Sequence, residues 1–143
     1  MEMTERKVAE VIDGVLLLYF DYLPPPVLRG NSRAHWSQIS RAANRMKEAT
    51  RVRLLHLRTD QIPKFRRAQF LYRQFWCGKP LDADGFLKSV KHVTDTCVDF
   101  GVVPDDGPAF VEFVMKDERV PHRDQRGFEL RVEAIQQGGR RGS

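Results

Sequence analysis

The chain has 143 residues, a length that fits one domain with one modest hydrophobic core. Apolar residues make up 41% of it and charged residues 30%, and the net charge of +5 favours a polyanionic partner. The apolar run Val15–Phe20 is too short to cross a bilayer and lacks the layout of a signal peptide. These properties exclude a membrane-spanning protein and predict a soluble, cytoplasmic one.

The predicted elements alternate along the chain. Short runs of branched and aromatic residues indicate strands, and apolar residues at three- and four-residue steps indicate helices. The predicted β-α-β-α-β-β order comprises Val15–Tyr22, 31–57, Ala68–Cys77, Gly85–Asp99, Ala109–Lys116 and Phe128–Ile135. This order predicts a single α+β domain over residues 1–143, in which two helices pack on one face of a mixed sheet. Residues up to about 13 and residues 138–143 are expected to be disordered.

The first predicted helix combines a core face with a basic surface. Asn31 and Ser32 are its candidate N-caps. Its predicted core face consists of Trp36, Ile39, Ala43, Met46, Thr50 and Leu57. Between Arg29 and Arg67, eleven Arg or Lys residues accompany only two acids. Contacts to a phosphate backbone are predicted for Arg33, Arg41, Arg45, Lys47, Arg51, Arg66 and Arg67. The alternative for these residues is an ordinary solvated helix face.

Acidic residues concentrate in the second half of the chain. Asp82 and Asp84 form a D-x-D before the second predicted helix, and Asp105 and Asp106 follow a short apolar strand after it. In an extended D-x-D both carboxylates point to the same side and can bind one ion. Mg²⁺ keeps several waters, so two or three carboxylates are sufficient to hold it. The pattern predicts a metal site at the two ends of this helix.

The acids and the lysines on the helix between them suit phosphodiester hydrolysis. Bound metal would polarise the phosphate and activate a water, and a lysine one turn into the helix would stabilise charge in the transition state. Each acid also has an ordinary explanation, because Asp84 is a good helix N-cap and Asp106-Gly107 is a common turn dipeptide. The combination favours metal-dependent cleavage over these separate explanations.

The order of motifs resembles that of the RusA-type Holliday-junction resolvases. The matching segments are Pro24-Pro25 with Asn31 and His35, Asp82–Lys88, Asp95 and Gly101–Asp106, within about Tyr19–Ile135. The resemblance implies a homodimeric endonuclease of bacterial or phage-infected cells that uses Mg²⁺, with Mn²⁺ as a substitute. Such an enzyme resolves four-way DNA junctions by paired symmetric nicks in recombination and repair.

The resemblance also implies roles for individual residues. The metal ligands would be Asp82, Asp84 and Asp106, and the catalytic lysine Lys88, with Lys91, Asp95 and Asp105 as further candidates. Lys88 has the family's spacing from Asp84, whereas Lys91 has the family's spacing to Asp95; Lys88 is favoured because it lies close to the metal loop. Gly85 stands where the family has Asn. Two alternatives stay open: a branched-DNA binding protein without catalysis, and a nuclease for flaps or other branched DNA.

Overall fold

The computed structural model describes residues 7–29 and 35–135. Within them five strands form one mixed sheet: β1 Ala9–Ile12, β2 Val15–Phe20, β3 Ala68–Trp76, β4 Val111–Arg119 and β5 Gly127–Ala134. The sheet order is β1-β2-β5-β3-β4, in which only β3 and β4 run parallel. The described α-helices are α1 Trp36–Leu55, α2 Ala83–Ser89 and α3 Lys91–Asp99. The predicted α+β class with a mixed sheet is confirmed, whereas the predicted numbers of strands and helices are wrong.

The core lies on one face of the sheet. Alternate residues of β2 and β5 face each other across the ladder and are buried, as in the pairs Leu16–Val132 and Leu18–Leu130. The rings of Phe20 and Phe128 stack 4.3 Å apart at the end of this pair. Phe128, Leu130 and Val132 are all buried on this face, because side chains two residues apart share one face of a sheet.

The helices cover that buried face. Phe86 of α2 is fully buried and meets the rings of Tyr72 and Phe128 edge-on. The Tyr72 hydroxyl forms a buried 2.7 Å hydrogen bond with the Thr94 hydroxyl of α3. The sheet and the helices are therefore joined by aromatic packing and by a polar contact that has no access to water.

β1 was missed, because residues up to about 13 were expected to be disordered. It pairs antiparallel with β2 through a turn at Asp13 and Gly14, whose φ angles are both positive. Two positive φ angles match the twist of a hairpin turn. A four-residue strand is too short to show a clear period, which explains the error. The predicted disorder of 138–143 falls outside the described residues.

α1 begins later than the predicted helix. The His35 side chain caps it by accepting from Ser37 N at 3.3 Å, and the predicted caps at 31 and 32 lie outside the described residues. Ala43, Met46 and Thr50 are buried as predicted. Trp36 is 73% exposed, so its place on the core face was wrong. It is the first residue of the helix, and periodicity does not indicate where along a helix the core ends.

The second predicted helix is two helices that meet at Val90. At Val90 φ and ψ are −103° and 10°, outside the helical range. The Ser89 hydroxyl donates to Phe86 O at 2.6 Å, one turn back. A serine hydroxyl bonded to a preceding carbonyl disturbs the helical ladder and bends the chain. Within the described ranges, the helix predicted over Gly85–Asp99 is therefore two helices, α2 and α3.

The segment between α3 and β4 contains no regular strand. Gly101, with a φ of 82°, follows the end of α3. Val102 and Val103 are buried, and Val102 O accepts a 2.8 Å hydrogen bond from Phe65 N. The short strand expected before Asp105 is thus replaced by a loop in which Val102 and Val103 are buried. No helix in the described ranges is long and apolar enough to cross a membrane.

Candidate functional site

The first two predicted acids lie at the start of α2. Asp82 is the N-cap of this helix and Asp84 lies in its first turn. The helix begins at Ala83, so the D-x-D is not extended as expected. Both acids nevertheless line one cavity of about 480 Å³, together with Arg29 and other residues. The two acids therefore lie at the first turn of one helix and border the same cavity.

The cap holds Asp82 close to the backbone. Its Oδ1 accepts a 2.6 Å hydrogen bond from Gly85 N. A Cβ at position 85 would lie only 2.9 Å from this oxygen, so glycine permits the close approach. Asp82 is therefore held by the helix end that it caps, and one of its two oxygens already accepts a backbone hydrogen bond.

A second cavity collects the other candidate residues. It measures about 260 Å³ and is lined by Asp84, Leu87, Lys88, Lys91, Thr94, Asp106 and Phe113. Asp84 and Lys88 come from α2, Lys91 from α3, and Asp106 from the loop before β4. Asp84 lines both cavities. The structure thus brings four of the predicted site residues together, although they are up to 22 positions apart in sequence.

Each lysine pairs with an acid one turn before or after it. Lys88 Nζ lies 3.3 Å from Asp84 Oδ2, and Lys91 Nζ lies 3.4 Å from Asp95 Oδ2. Exposed ion pairs of this kind contribute little to stability, so they can exchange partners when a ligand binds. Lys88 is the lysine paired with an acid of the cavity. Asp95 does not line the cavity but pairs with Lys91, which does, and Asp105 is exposed in the loop before β4.

The donor chemistry of these residues fits a hard cation such as Mg²⁺, which prefers carboxylate oxygens and retains waters. Asp84 shares one cavity with Asp82 and the other with Asp106. Within the described ranges, however, no three His, Cys, Asp or Glu side chains are gathered as a metal-binding group. The three predicted ligands therefore do not form a closed cage, and an ion would need water and substrate oxygens to complete its shell.

A buried glutamine fixes the backbone beside Asp82. Gln74, on the inward face of β3, is fully buried. Its Nε2 donates to Leu81 O at 2.8 Å, and its Oε1 accepts from Leu81 N at 3.3 Å. The amide thus acts like a neighbouring strand and anchors the residue immediately before the N-cap. This role of Gln74 was not predicted, although the glutamine follows the same alternation as Phe70 and Tyr72 in the sequence.

Replacing Gln74 with leucine should lower the free energy of unfolding by about 1–3 kcal/mol, because two partly buried backbone groups of Leu81 lose their partner. Urea unfolding measures this loss. The matched control is Gln69→Leu, since Gln69 lies on the other face and bonds Glu112 in an exposed pair. That control should change the free energy by less than about 0.5 kcal/mol. Equal stability of Gln74→Leu and wild type would contradict the anchoring role.

The predicted phosphate-contacting residues are exposed where the structure describes them. Arg41, Arg45, Lys47 and Arg51 lie on α1, and Arg66 and Arg67 precede β3; Arg33 is outside the described residues. Arg53 differs from them: its guanidinium lies 4.1 Å above the Phe20 ring and its Nε donates to Tyr19 O at 2.7 Å. Burial lowers the pKa of this guanidinium. Arg53 therefore ties α1 to β2, whereas the exposed residues are available to a ligand.

His92 lies on α3, and its Nδ1 is buried without a hydrogen-bond partner. Burial, followed by the charge of Lys47, lowers the pKa of His92; Lys91 adds to this effect and Asp95 opposes it. The unfolded chain therefore takes up this proton more readily than the folded protein. Protonation of His92 therefore favours unfolding. The free energy of unfolding is unaffected by His92 above the ordinary histidine pKa of about 6.5, and it decreases as the pH falls below that value.

We accordingly expect His92→Gln to flatten the fall in unfolding free energy between pH 7.5 and pH 5.5. Urea unfolding at both pH values measures the slope, and His122→Gln, at an exposed position, is the control. Because carboxylates contribute equally to all three proteins, the difference between slopes isolates the histidine. A slope in His92→Gln as steep as that of wild type would contradict the assignment.

No known protein-family model matches the chain, and no curated protein matches it at a significant level. The resemblance to the RusA-type resolvases therefore remains a prediction that is based on the residues quoted for it.

Proposed function

We propose that the chain is a metal-dependent endonuclease that resolves four-way DNA junctions. The observation that carries the proposal is the second cavity, where Asp84 and Asp106 meet Lys88 and Lys91. Carboxylates suit a divalent cation, and ammonium groups suit phosphate oxygens. Opposite charges from three separate segments in one cavity are the combination that phosphodiester hydrolysis needs.

The roles of the residues follow from their charges. Asp84 and Asp106, with Asp82 at the neighbouring cavity, would hold Mg²⁺ or Mn²⁺ together with water. When bound, the ion supplies Lewis-acid polarisation of the phosphate and a water of lowered pKa. Lys88 would leave its partner Asp84 to neutralise negative charge that develops on the phosphate, an effect that is strongest where water is excluded. Leu87 and Phe113 supply apolar surface to the same cavity.

The basic residues of α1 support binding to a phosphate backbone. Such contacts fix the position of the duplex without reading sequence, so the affinity should fall steeply as salt concentration rises. A junction has near two-fold symmetry, and a homodimer with one site per subunit could nick both strands symmetrically. Sedimentation of the protein with and without junction DNA would measure the number of subunits in the free protein and on each junction. The reaction would serve recombination and repair.

A branched-DNA binding protein without catalysis is the second candidate. Two observations favour it: no three metal-binding side chains are gathered within the described ranges, and one oxygen of Asp82 already accepts a hydrogen bond from Gly85 N. Such a protein would bind junctions with the same salt dependence but would leave them intact in Mg²⁺.

Cleavage of matched substrates tests the proposal. Labelled four-way junction, flap and linear duplex of the same sequence are incubated with the protein in Mg²⁺, in Mn²⁺ and in EDTA. Metal-dependent, paired symmetric nicks in the junction alone support the proposal. Cutting restricted to flaps would identify a different branched-DNA nuclease. Tight junction binding without any cutting would select the non-catalytic candidate.

A further inference from the structure

Arg29 lines the cavity that contains Asp82 and Asp84, and the segment before it fixes its position. Pro25 and Pro26 open a 3-10 turn, Pro26–Leu28, and Arg29 N donates to Pro26 O at 3.1 Å to close it. Proline fixes φ, so this turn has little freedom. Leu28 is buried, and the turn packs against both α1 and α2. The backbone of Arg29 is therefore held firmly beside the start of α2.

The side chain of Arg29 has an unused donor. Its Nε is buried and has no hydrogen-bond partner. It lines the 480 Å³ cavity with Asp82 and Asp84, yet no ion pair in the described ranges joins it to either acid. Nearly all buried polar groups in proteins are hydrogen-bonded, and an unmade bond on a charged group is costly. A guanidinium that borders an open cavity and pairs with neither of its acids can bond a ligand there.

We propose that Arg29 binds a phosphodiester in the cavity that it shares with Asp82 and Asp84, with its guanidinium donating to two non-bridging oxygens. The proposal rests on the proposed function for the identity of its ligand. A guanidinium presents parallel donors that match the spacing of phosphate oxygens, whereas a lysine offers a point charge. Since Asp84 lines both cavities, Arg29 supplies positive charge in one of them and Lys88 with Lys91 in the other. A phosphate at Asp84 would thus meet cations in both cavities.

The first test compares single-turnover cleavage by wild type, Arg29→Lys and Arg29→Gln. Loss of a preorganised donor to phosphate should lower the rate by about 100-fold in Arg29→Gln. Arg29→Lys should recover only part of this loss, because it restores the charge but not the paired geometry. The control is Arg131→Gln, since Arg131 lies on β5 and pairs with Glu133. Unchanged rates in both Arg29 variants, with thermal unfolding like that of wild type, would overturn the proposal.

The second arm identifies the phosphate itself. A methylphosphonate at the mapped cut position removes the charge that Arg29 would bind. Wild type should lose affinity for this junction, measured in Ca²⁺ to prevent cutting, and Arg29→Gln should lose much less. Equal losses in both proteins would show that Arg29 contacts another part of the DNA and would overturn the assignment.

The third arm does not depend on cleavage. The Nε–Hε resonance of Arg29 is identified by its absence from the spectrum of Arg29→Lys and is followed while the dinucleotide TpT is added in Mg²⁺. A saturable shift supports the phosphodiester site even if no junction is cut, in which case the proposed function alone fails. An unmoved resonance overturns the Arg29 site, and junction cleavage by the same preparation would leave the proposed function standing.

Discussion

Replacing Asp84 with asparagine is expected to lower the rate of metal-dependent junction cleavage by at least about 100-fold, because loss of even an outer partner of a metal site costs 10–100-fold. Asp84 is the acid that lines both cavities, and its Oδ2 lies 3.3 Å from Lys88 Nζ. Asparagine keeps the shape of the side chain and removes its charge. Single-turnover cleavage at saturating protein measures the effect without interference from DNA binding.

The control for this substitution is Asp124→Asn. Asp124 is exposed in the short turn before β5 and lines neither cavity of the site. It changes the net charge of the protein by the same amount, so any general electrostatic effect on DNA binding appears in both variants. If Asp84→Asn cuts junctions at the rate of Asp124→Asn, the carboxylate at the start of α2 has no part in the chemistry.

Substitution of the two cavity lysines is expected to have unequal effects. Lys88→Met should lower the cleavage rate by about 100- to 1,000-fold, because it removes a cation that stabilises charge in the transition state. Lys91→Met should lower the rate by less than about 10-fold. Lys91 pairs with Asp95, an acid that does not line the cavity, so we expect Lys91 to contribute mainly to DNA affinity. Methionine keeps much of the length and the apolar stem of each side chain.

The same pair of variants decides the register of the motif. A large rate loss in Lys91→Met with a small one in Lys88→Met would show that the spacing to Asp95, rather than the spacing from Asp84, identifies the catalytic lysine. Because both lysines line one cavity and both variants lose the same charge, each serves as the control for the other. Junction affinity, measured separately in Ca²⁺, distinguishes weaker binding from slower chemistry.

Features that depend on local pattern could be predicted from the sequence. In the last strand Phe128, Leu130 and Val132 alternate with charged residues in the sequence, and these three residues form its buried face. The end of α3 is also marked in the sequence by Gly101. Helices often end at a glycine, because glycine readily adopts the positive φ that Gly101 has here. The α+β class with a mixed sheet followed from the same patterns.

The features that were missed depend on tertiary contacts. The break at Val90 involves a hydroxyl bond from Ser89 that competes with the helical ladder. The roles of Gln74 and Arg29 arise because β3 and the proline turn pack beside α2, which no spacing in the sequence reveals. The approach of Asp106 to Asp84 was predicted, but through a strand that the structure replaces with a loop.

Cleavage of a synthetic four-way junction by wild type and by Asp106→Asn, side by side in Mg²⁺ and in EDTA, tests the central claim most directly. Asp106 comes from the loop before β4 and meets Asp84 and the lysines only through the fold. We expect paired symmetric nicks by wild type in Mg²⁺, none in EDTA, and a rate at least about 100-fold lower for Asp106→Asn. Intact junctions with wild type in Mg²⁺, or equal cutting by the two proteins, would contradict the proposed metal-dependent resolvase.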